Sequence, residues 1–477
     1  MSTFGGLNTA YRGLTAAQQA INLAGQNIAN ATTPGYTRQR LDLSAIGAPV
    51  PVGLNPATGQ AGQGVSVDGI ARLGSSFLDA GVRRTGAQSG FAGIRSTELQ
   101  RLEDALQEPG PHGISTALHT FWASWQGVSN HPGDSAPASV LLDTASTLSE
   151  TVSAGYKALD AQWSRVRGET SATVDELNAT AGKVAELNAT IRSVLASGGS
   201  ANELIDTRNQ MTEAIATLAG GTVRENPDGT ADVFIGGNAL VSGTSHRALT
   251  LAGQTSMGGP GQPVQLEWAD RAGLAVNLDG GQLAGAVSLL APAAPGSKGA
   301  GTGGPIAEAA EAYNAFATQL MNDVNAIHRT GQTSTGAGNL DFFTSTPGVP
   351  VALSLRVVPT SATGIATGAP GAGSLDGSIA DAVAQIGSKP GAPDTFWNGV
   401  VAGIGMASKS AQQHSQLADA ASVAAVGQRS SAVSVSLDEE NVALLASQHA
   451  YQAAARVMTA IDEALDVLIN RTGLVGR

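Results

Sequence analysis

Seven-residue apolar repeats stand at both ends of this 477-residue chain. At the front, Leu7, Ala10, Leu14, Ala17, Ile21, Ala24 and Ile28 fill successive a and d positions. At the back, Leu437, Leu444, Tyr451, Met458 and Leu465 recur every seven residues, with Ala454, Ile461 and Leu468 on the offset positions. A heptad seam is a surface that needs a partner helix. Two such seams at opposite termini imply ends that come together and then meet other subunits, which is the logic of an assembly protein. One seam with alanine at d is too thin to hold a helix alone, so both termini are expected to order on assembly. Mild protease is then expected to trim the free chain to a core near residues 45–430. Alanine at d also lets helices approach closely, and a head-to-tail contact repeated without closing makes a helical array.

Charge supports the pairing of the ends. Residues 1–41 contain no Asp or Glu but carry Arg12, Arg38 and Arg40, whereas residues 437–477 hold six acids and three arginines. The net charge of −12 argues against nucleic acid as a partner, because neutralising phosphates takes a basic surface. The chain has no cysteine, which removes disulfides, thiol nucleophiles and Cys-type zinc sites together. No apolar run approaches the roughly 18 residues of a membrane helix. The N-terminus lacks a basic segment followed by a continuous apolar one, so no cleaved signal peptide is expected.

Aromatics make up only 4% of the chain and glycines number 61, which predicts Ala-rich helices punctuated by Gly turns. A helix over 4–30 is stopped by Pro34-Gly35. Residues 45–75 read as extended or hairpin-like, and helices dominate from 91. A proline-free stretch over 138–197 reads as a long rod helix and contains the near-repeat Glu176-Leu-Asn-Ala-Thr180 and Glu186-Leu-Asn-Ala-Thr190, read as local duplication or chance. Ser200 and Glu203 form a capping-box pattern. Asn226-Pro227-Asp228-Gly229 signals a hairpin, followed by strand-like stretches at 239–242, 248–252, 263–268 and 274–278. Strand candidates recur at 351–358.

This order predicts a mainly α fold with β-rich inserts: a discontinuous helical rod built from both chain ends, with terminal coiled-coil helices and one or two small β modules looped out. The expected divisions are a terminal coiled-coil domain of 1–33 with 436–477 and an extended linker segment over 34–90. A helical rod domain of 91–221 with 305–330 and 394–435, a β-rich module at 222–304 and a second small β/loop module at 331–393 complete them.

Catalytic patterns are not evident. His112 and His119 straddle a helix break, and no metal or cofactor site is expected. Gly299, Gly301 and Gly304 satisfy G-x-G-x-x-G, but no clear strand precedes them, so they read as a linker. Asp438, Glu439 and Glu440 read as acids of a first helical turn capped by Ser436. The Asn-Ala-Thr sequons at Asn30, Asn178 and Asn188 carry little weight, two of them lying inside a helical pattern.

One segment is specific. Asn27-Ile-Ala-Asn-Ala-Thr-Thr-Pro-Gly-Tyr-Thr-Arg-Gln39 closely resembles the N-terminal motif of bacterial flagellar axial proteins. Pro34-Gly35-Tyr36 with Arg38-Gln39-Arg40 looks most like the hook-associated FlgK family. Gly62-Gln-Gly-Val-Ser-Val-Asp-Gly-Ile-Ala-Arg72, Asn202-Glu-Leu-Ile-Asp-Thr-Arg208 and Ser436-Leu-Asp-Glu-Glu440 continuing to Leu468-Ile-Asn470 resemble that family in order. The resemblance implies a structural adaptor, not an enzyme, at the junction of hook and filament, serving as the base for filament assembly. It would leave the cell without cleavage through the flagellar type III pathway. Its partners would be the hook protein, further copies of itself, the next junction protein and an export chaperone on the C-terminal helix. The expected assembly interface is Leu7, Leu14, Ile21, Asn27, Ile28, Asn30, Pro34, Tyr36, Leu437, Leu444, Tyr451, Met458, Ile461, Leu465 and Leu468. The alternative is a rod or hook component of the same apparatus. A secreted enzyme carried on an axial scaffold is a third reading, disfavoured by the missing nucleophile and metal constellations.

Overall fold

A computed structural model of the chain describes residues 3–48 and 62–471. Helix α1 (Thr3–Ala29) is followed by the antiparallel hairpin β1 (Gln39–Ala45) and β2 (Val65–Arg72), paired from Gln39 opposite Arg72 to Ala45 opposite Val65. Four helices come next: α2 (Ser76–Leu106), α3 (Ile114–Asn130), α4 (Ser135–Ala196) and α5 (Asn202–Ala219). Strands β3 (Thr222–Glu225), β4 (Ala231–Ile235), β5 (Asn238–Ser242) and β6 (Ser245–His246) form an antiparallel meander. Strands β7 (Leu249–Ala252), β8 (Gln265–Trp268) and β9 (Arg271–Ala275) form a second one.

Helices α6 (Gly281–Leu290) and α7 (Pro305–His328) return the chain to the helical body. The stretch after them holds two-residue strands β10 (Gln332–Thr333) and β11 (Phe343–Thr344), helix α8 (Val351–Ser354), strands β12 (Arg356–Val357) and β13 (Ala366–Gly368), and helix α9 (Ser378–Ala384). Two long helices end the described chain, α10 (Pro393–Val433) and α11 (Leu437–Asp466). The fold is mainly α with small β modules.

Helix α4, 62 residues long and so about 93 Å in length, belongs to two cores. Its first half packs with α2, α3, α7 and the 331–393 stretch around Phe121, Trp125, Trp163, Phe316, Phe342, Phe343 and Trp397, all at most 1% exposed. Its second half packs with α5 and the two meanders around Leu177, Val184, Ile215, Ile235, Leu240 and Trp268. Helix α10 runs back antiparallel along α2, where Arg429 reaches Asp79 and Ser89 donates to Asp419 at 2.6 Å. Helix α11 runs back antiparallel along α1: a Cβ on Gly6 would lie 3.3 Å from Ile461, and one on Gly13 would lie 3.9 Å from Ala454.

Several local expectations are corrected. The 34–90 stretch is no plain extended linker, since β1, β2 and the first half of α2 lie inside it; its residues 49–61 fall outside the described chain. Gly81, Gly86 and Gly90 hid that helix. Gly90 is there for packing, because a Cβ would meet the Thr217 carbonyl of α5. Burial of Val82 and Ala87 offsets the lost propensity. Val351–Ser354, read as strand, is a helical turn, and α6 occupies the end of the expected β-rich module. The Ser200 and Glu203 capping box does not form: α5 is capped by Ala201 without a side-chain bond, because Glu203 is used elsewhere.

Both Asn-Ala-Thr units in α4 hold strands in place. Asn178 accepts from the Leu249 N–H and donates to the Leu249 carbonyl, both at 2.8 Å, clasping β7. Asn188 does the same to Ala231 of β4, at 3.0 and 2.8 Å. Each repeat presents one amide to one meander.

Candidate assembly site

The site is built where the chain leaves α1. Asn27, on the last turn of α1 and 2% exposed, is fully used. Its side-chain oxygen accepts from the Tyr36 hydroxyl at 2.8 Å and the Gln39 N–H at 3.2 Å. Its amide donates to the Gln39 carbonyl at 3.0 Å and to Glu440 at 3.1 Å. Gly35, with φ of 78°, turns the chain beneath Gln210, which donates to the Pro34 carbonyl at 2.8 Å. That left-handed turn brings Tyr36 back over Asn27.

Four further elements close on this turn. From α11, Glu440 is 3% exposed and accepts from Arg38 at 2.7 Å, while Glu439 accepts from Arg38 at 2.6 Å. From α5, Asp206 accepts from the Thr37 N–H at 2.9 Å and pairs with Arg72 at 2.5 Å. Glu203 accepts from Gln26 at 2.6 Å and Gln39 at 3.0 Å. From β2, the Ile70 carbonyl accepts from Asn202 at 2.9 Å. The backbone is stitched as well: the Arg38 N–H donates to Val433 of α10 at 3.0 Å, and Leu73 donates to Arg38 at 2.9 Å. Burial, then the charges of Glu203, Asp206 and Glu440, push the Tyr36 hydroxyl up to about 12, so it stays a donor. The result is a knot joining the α1–α11 pair to the helical body.

The sequence-derived interface divides into three groups. Leu444, Tyr451, Met458, Ile461 and Leu465 are half-buried on the α11 face toward α1, and Leu7, Leu14, Ile21 and Ile28 are half-buried on α1. Asn27, Asn30, Pro34 and Tyr36 sit in or beside the knot, Asn30 receiving Thr33 at 3.2 Å. Leu437 and Leu468 are more exposed, at 50% and 59%. Reading the sequence for seams missed Arg38, Gln39, Arg72, Glu203, Asp206 and Glu440. The opposed charges of the two ends include Arg38 and Glu440 without singling out either, and Glu440 reads in the sequence as a helix-start acid. Ser436 does cap α11, accepting from the Glu439 N–H at 3.5 Å.

The Gly-rich linker is also resolved into chemistry. Its backbone wraps the Glu308 carboxylate, which accepts from Ala294 at 2.7 Å, Gly303 at 3.0 Å, Gly301 at 3.1 Å and the Ser297 hydroxyl. The anion this loop cradles is the chain's own. Among the described residues no group of three or more His, Asp or Glu could hold a metal ion, and no helix is long and apolar enough to cross a membrane.

Comparison with known proteins places this architecture. Residues 99–343 match the model of the flagellar hook-associated protein FlgK helical domain. Residues 7–37 match the flagella basal body rod protein model, and 428–471 match the flagellar basal body rod FlgEFG protein C-terminal model. Flagellar hook-associated protein 1 of Bacillus subtilis (strain 168) is 28% identical over 516 aligned positions, covering 100% of both chains. Flagellar hook-associated protein 1 of Escherichia coli (strain K12) is 28% identical over 246 positions, 51% of this chain and 44% of that one. The fold matches the flagellar hook junction protein FlgK from Burkholderia pseudomallei with a TM-score of 0.60 at 14% identity, over 76% of this chain and 100% of that one. The chain belongs to the FlgK family of flagellar hook-associated proteins and is a structural component of the bacterial flagellum.

Proposed function

We propose that this chain is the adaptor that joins hook to filament and forms the base on which the filament assembles. The observation that carries this reading is the knot: both chain ends fold into one helix pair and are tied as a unit to the helical body. A subunit built this way presents one surface made of both termini. The full-length likeness to a hook-associated protein supports the same reading. Assembly contacts run through the α1–α11 pair, and the partners are the hook protein, further copies and the next junction protein. Before assembly α11 is held by an export chaperone, and the chain travels uncleaved through the flagellar type III pathway. A rod or hook component would carry similar termini, but the match over 99–343 favours the hook-associated role. Deleting the gene tests it: hooks should remain while filament subunits leak into the medium, and cells that keep their filaments would refute the role.

A further inference from the structure

Helix α10 is poorly dressed for water. Its 41 residues carry four charged side chains, Asp394, Lys409, Asp419 and Arg429, and the last two are bonded toward α2 and α5. Met406, Leu417 and Val423 on its outer face are 69%, 69% and 72% exposed. A helix that is apolar on its outside is built to be covered.

Beside that face runs a groove. Between α2, α6 and α10 lies a cavity of about 840 Å³, lined among others by Phe91, Leu99, Ala411, Leu417 and Ala421. A second cavity of about 760 Å³ continues it along the same two helices, and Arg95, Leu99, Pro305 and Ala407 line both. Arg95 therefore stands at the waist of a long apolar trough. Its guanidinium lies over the Phe91 ring at 5.7 Å and donates to the Ser288 hydroxyl at 2.5 Å. No carboxylate pairs with it among the described residues: neighbouring Glu98 is taken by Arg101 and Arg165, and burial lowers the Arg95 pKa with no acid opposing. Asp279, the one acid lining the first cavity, adjoins Gly280, which packs on Ala87 two helical turns away. Lys298 and Glu308 line the second cavity, but the Glu308 carboxylate is taken up by the Gly-rich loop. Arg95 is left a half-buried cation without an anion, which states the chemistry of what belongs there.

We infer that the trough between α2 and α10 receives a helix of an unlike neighbouring flagellar chain, an apolar face bearing one carboxylate that pairs with Arg95. Two antiparallel helices side by side leave a groove that a third helix fills. A second copy of this chain is a poorer occupant. Its α1 is free of acids, and with the α11 seam filled by α1 a copy could offer only the scattered apolar side chains of the outer α11 face, Val442, Leu445 and Val457. The inference rests on the chain being built into the flagellum, not on whether its place there is the junction.

The test is photocrosslinking in intact flagella with p-benzoylphenylalanine in place of Leu417, on the rim of the trough. The expected product joins this chain to a different flagellar protein, at a helical segment with an Asp or Glu among apolar residues. Arg95→Gln, which keeps the shape of the side chain, should cut the yield several-fold. Arg95→Glu should abolish it, and changing the identified partner acid to Arg should restore it. Thermal unfolding of each variant distinguishes lost contact from lost fold. No crosslink, a crosslink to a second copy, a segment without an acid, or an Arg95→Gln yield equal to that of the parent overturns the assignment.

Discussion

Asn27 shows how little freedom the knot leaves a single side chain. Its oxygen serves two donors and its amide serves Gln39 and Glu440. Asn27→Asp keeps the shape and turns a donor into an anion facing Glu440. The cost should be on the order of 2–4 kcal/mol, from a lost charge-assisted bond and like-charge contact. It should lower the thermal midpoint in calorimetry, and an unchanged midpoint would show that the donated bond to Glu440 is dispensable. His328 offers a second residue-scale test. It is buried, its Nε2 accepts from the Ala366 N–H at 2.9 Å and its Nδ1 lies 2.7 Å from the Leu340 carbonyl, so the ring is neutral with its proton on Nδ1. Burial lowers its pKa. Below an unfolded histidine pKa of about 6.5 the unfolded chain therefore binds more protons than the folded one. The contribution is full above that pH and declines as pH falls. Between pH 7 and 5.5 the loss should approach about 1 kcal/mol, and a pH difference in unfolding free energy that persists in His328→Asn would assign it to other groups.

At the scale of elements, what a sequence reveals is what repeats locally. The heptads of α1 and α11, the capping Ser436 and the long proline-free run of α4 each announce themselves within a few turns. Helix α2 did not, because Gly81, Gly86 and Gly90 suggest a loop, and only the fold shows Thr217 of α5 lying against Gly86 and Gly90. The knot was legible only in part: Asn27, Pro34 and Tyr36 sit in one motif, but Arg38 and Glu440 are 402 positions apart and meet only in the fold. The α4 clasps were visible as a repeat and unreadable as a function, since their partners are backbone groups of strands further along the chain. They now make a graded prediction. Asn188 is 0% exposed and also receives Arg208 at 3.2 Å, whereas Asn178 is half-buried and serves one residue. Asn188→Ala should cost about 2–4 kcal/mol and Asn178→Ala about 1–2 kcal/mol. Hydrogen exchange should quicken in β4 for the first and in β7 for the second. Equal, global loosening in both would mean that the two meanders open as one unit.

Across the whole molecule, stability is distributed unevenly, and the imbalance bears on assembly. The helical body buries Trp125, Trp163 and Trp397 together with much of α3, α4 and α7. Helix α1 buries Ala10, Ala16, Ala17, Leu23, Ala24 and Asn27, and among its described residues α11 buries only Glu440. Four alanines and one leucine remove little apolar surface from water at about 25 cal/mol per Å², and a helix pair of this kind has no core of its own. What fixes it to the body is the polar knot at one end; beyond it, α1 adds to the seam only its contact with the β1–β2 hairpin, where Arg12 donates to the Gln63 carbonyl at 3.3 Å. Phe4, Tyr11, Val442, Leu445 and Val457 remain exposed on the pair's outer faces, 50–69% accessible, as material for further contacts. The seam should therefore open first in the free chain and close when subunits cover those faces. Hydrogen exchange on the isolated chain should show protection in α1 and α11 falling with distance from Asn27 and Glu440, while α3, α4 and α7 exchange slowest. The same helices in intact flagella should be protected along their length, and Met458→Asp should impair incorporation far more than it lowers the unfolding midpoint of the body. Equal protection of the pair in both states would mean that the termini are already a stable unit before assembly, and that the knot anchors a finished domain instead of starting one.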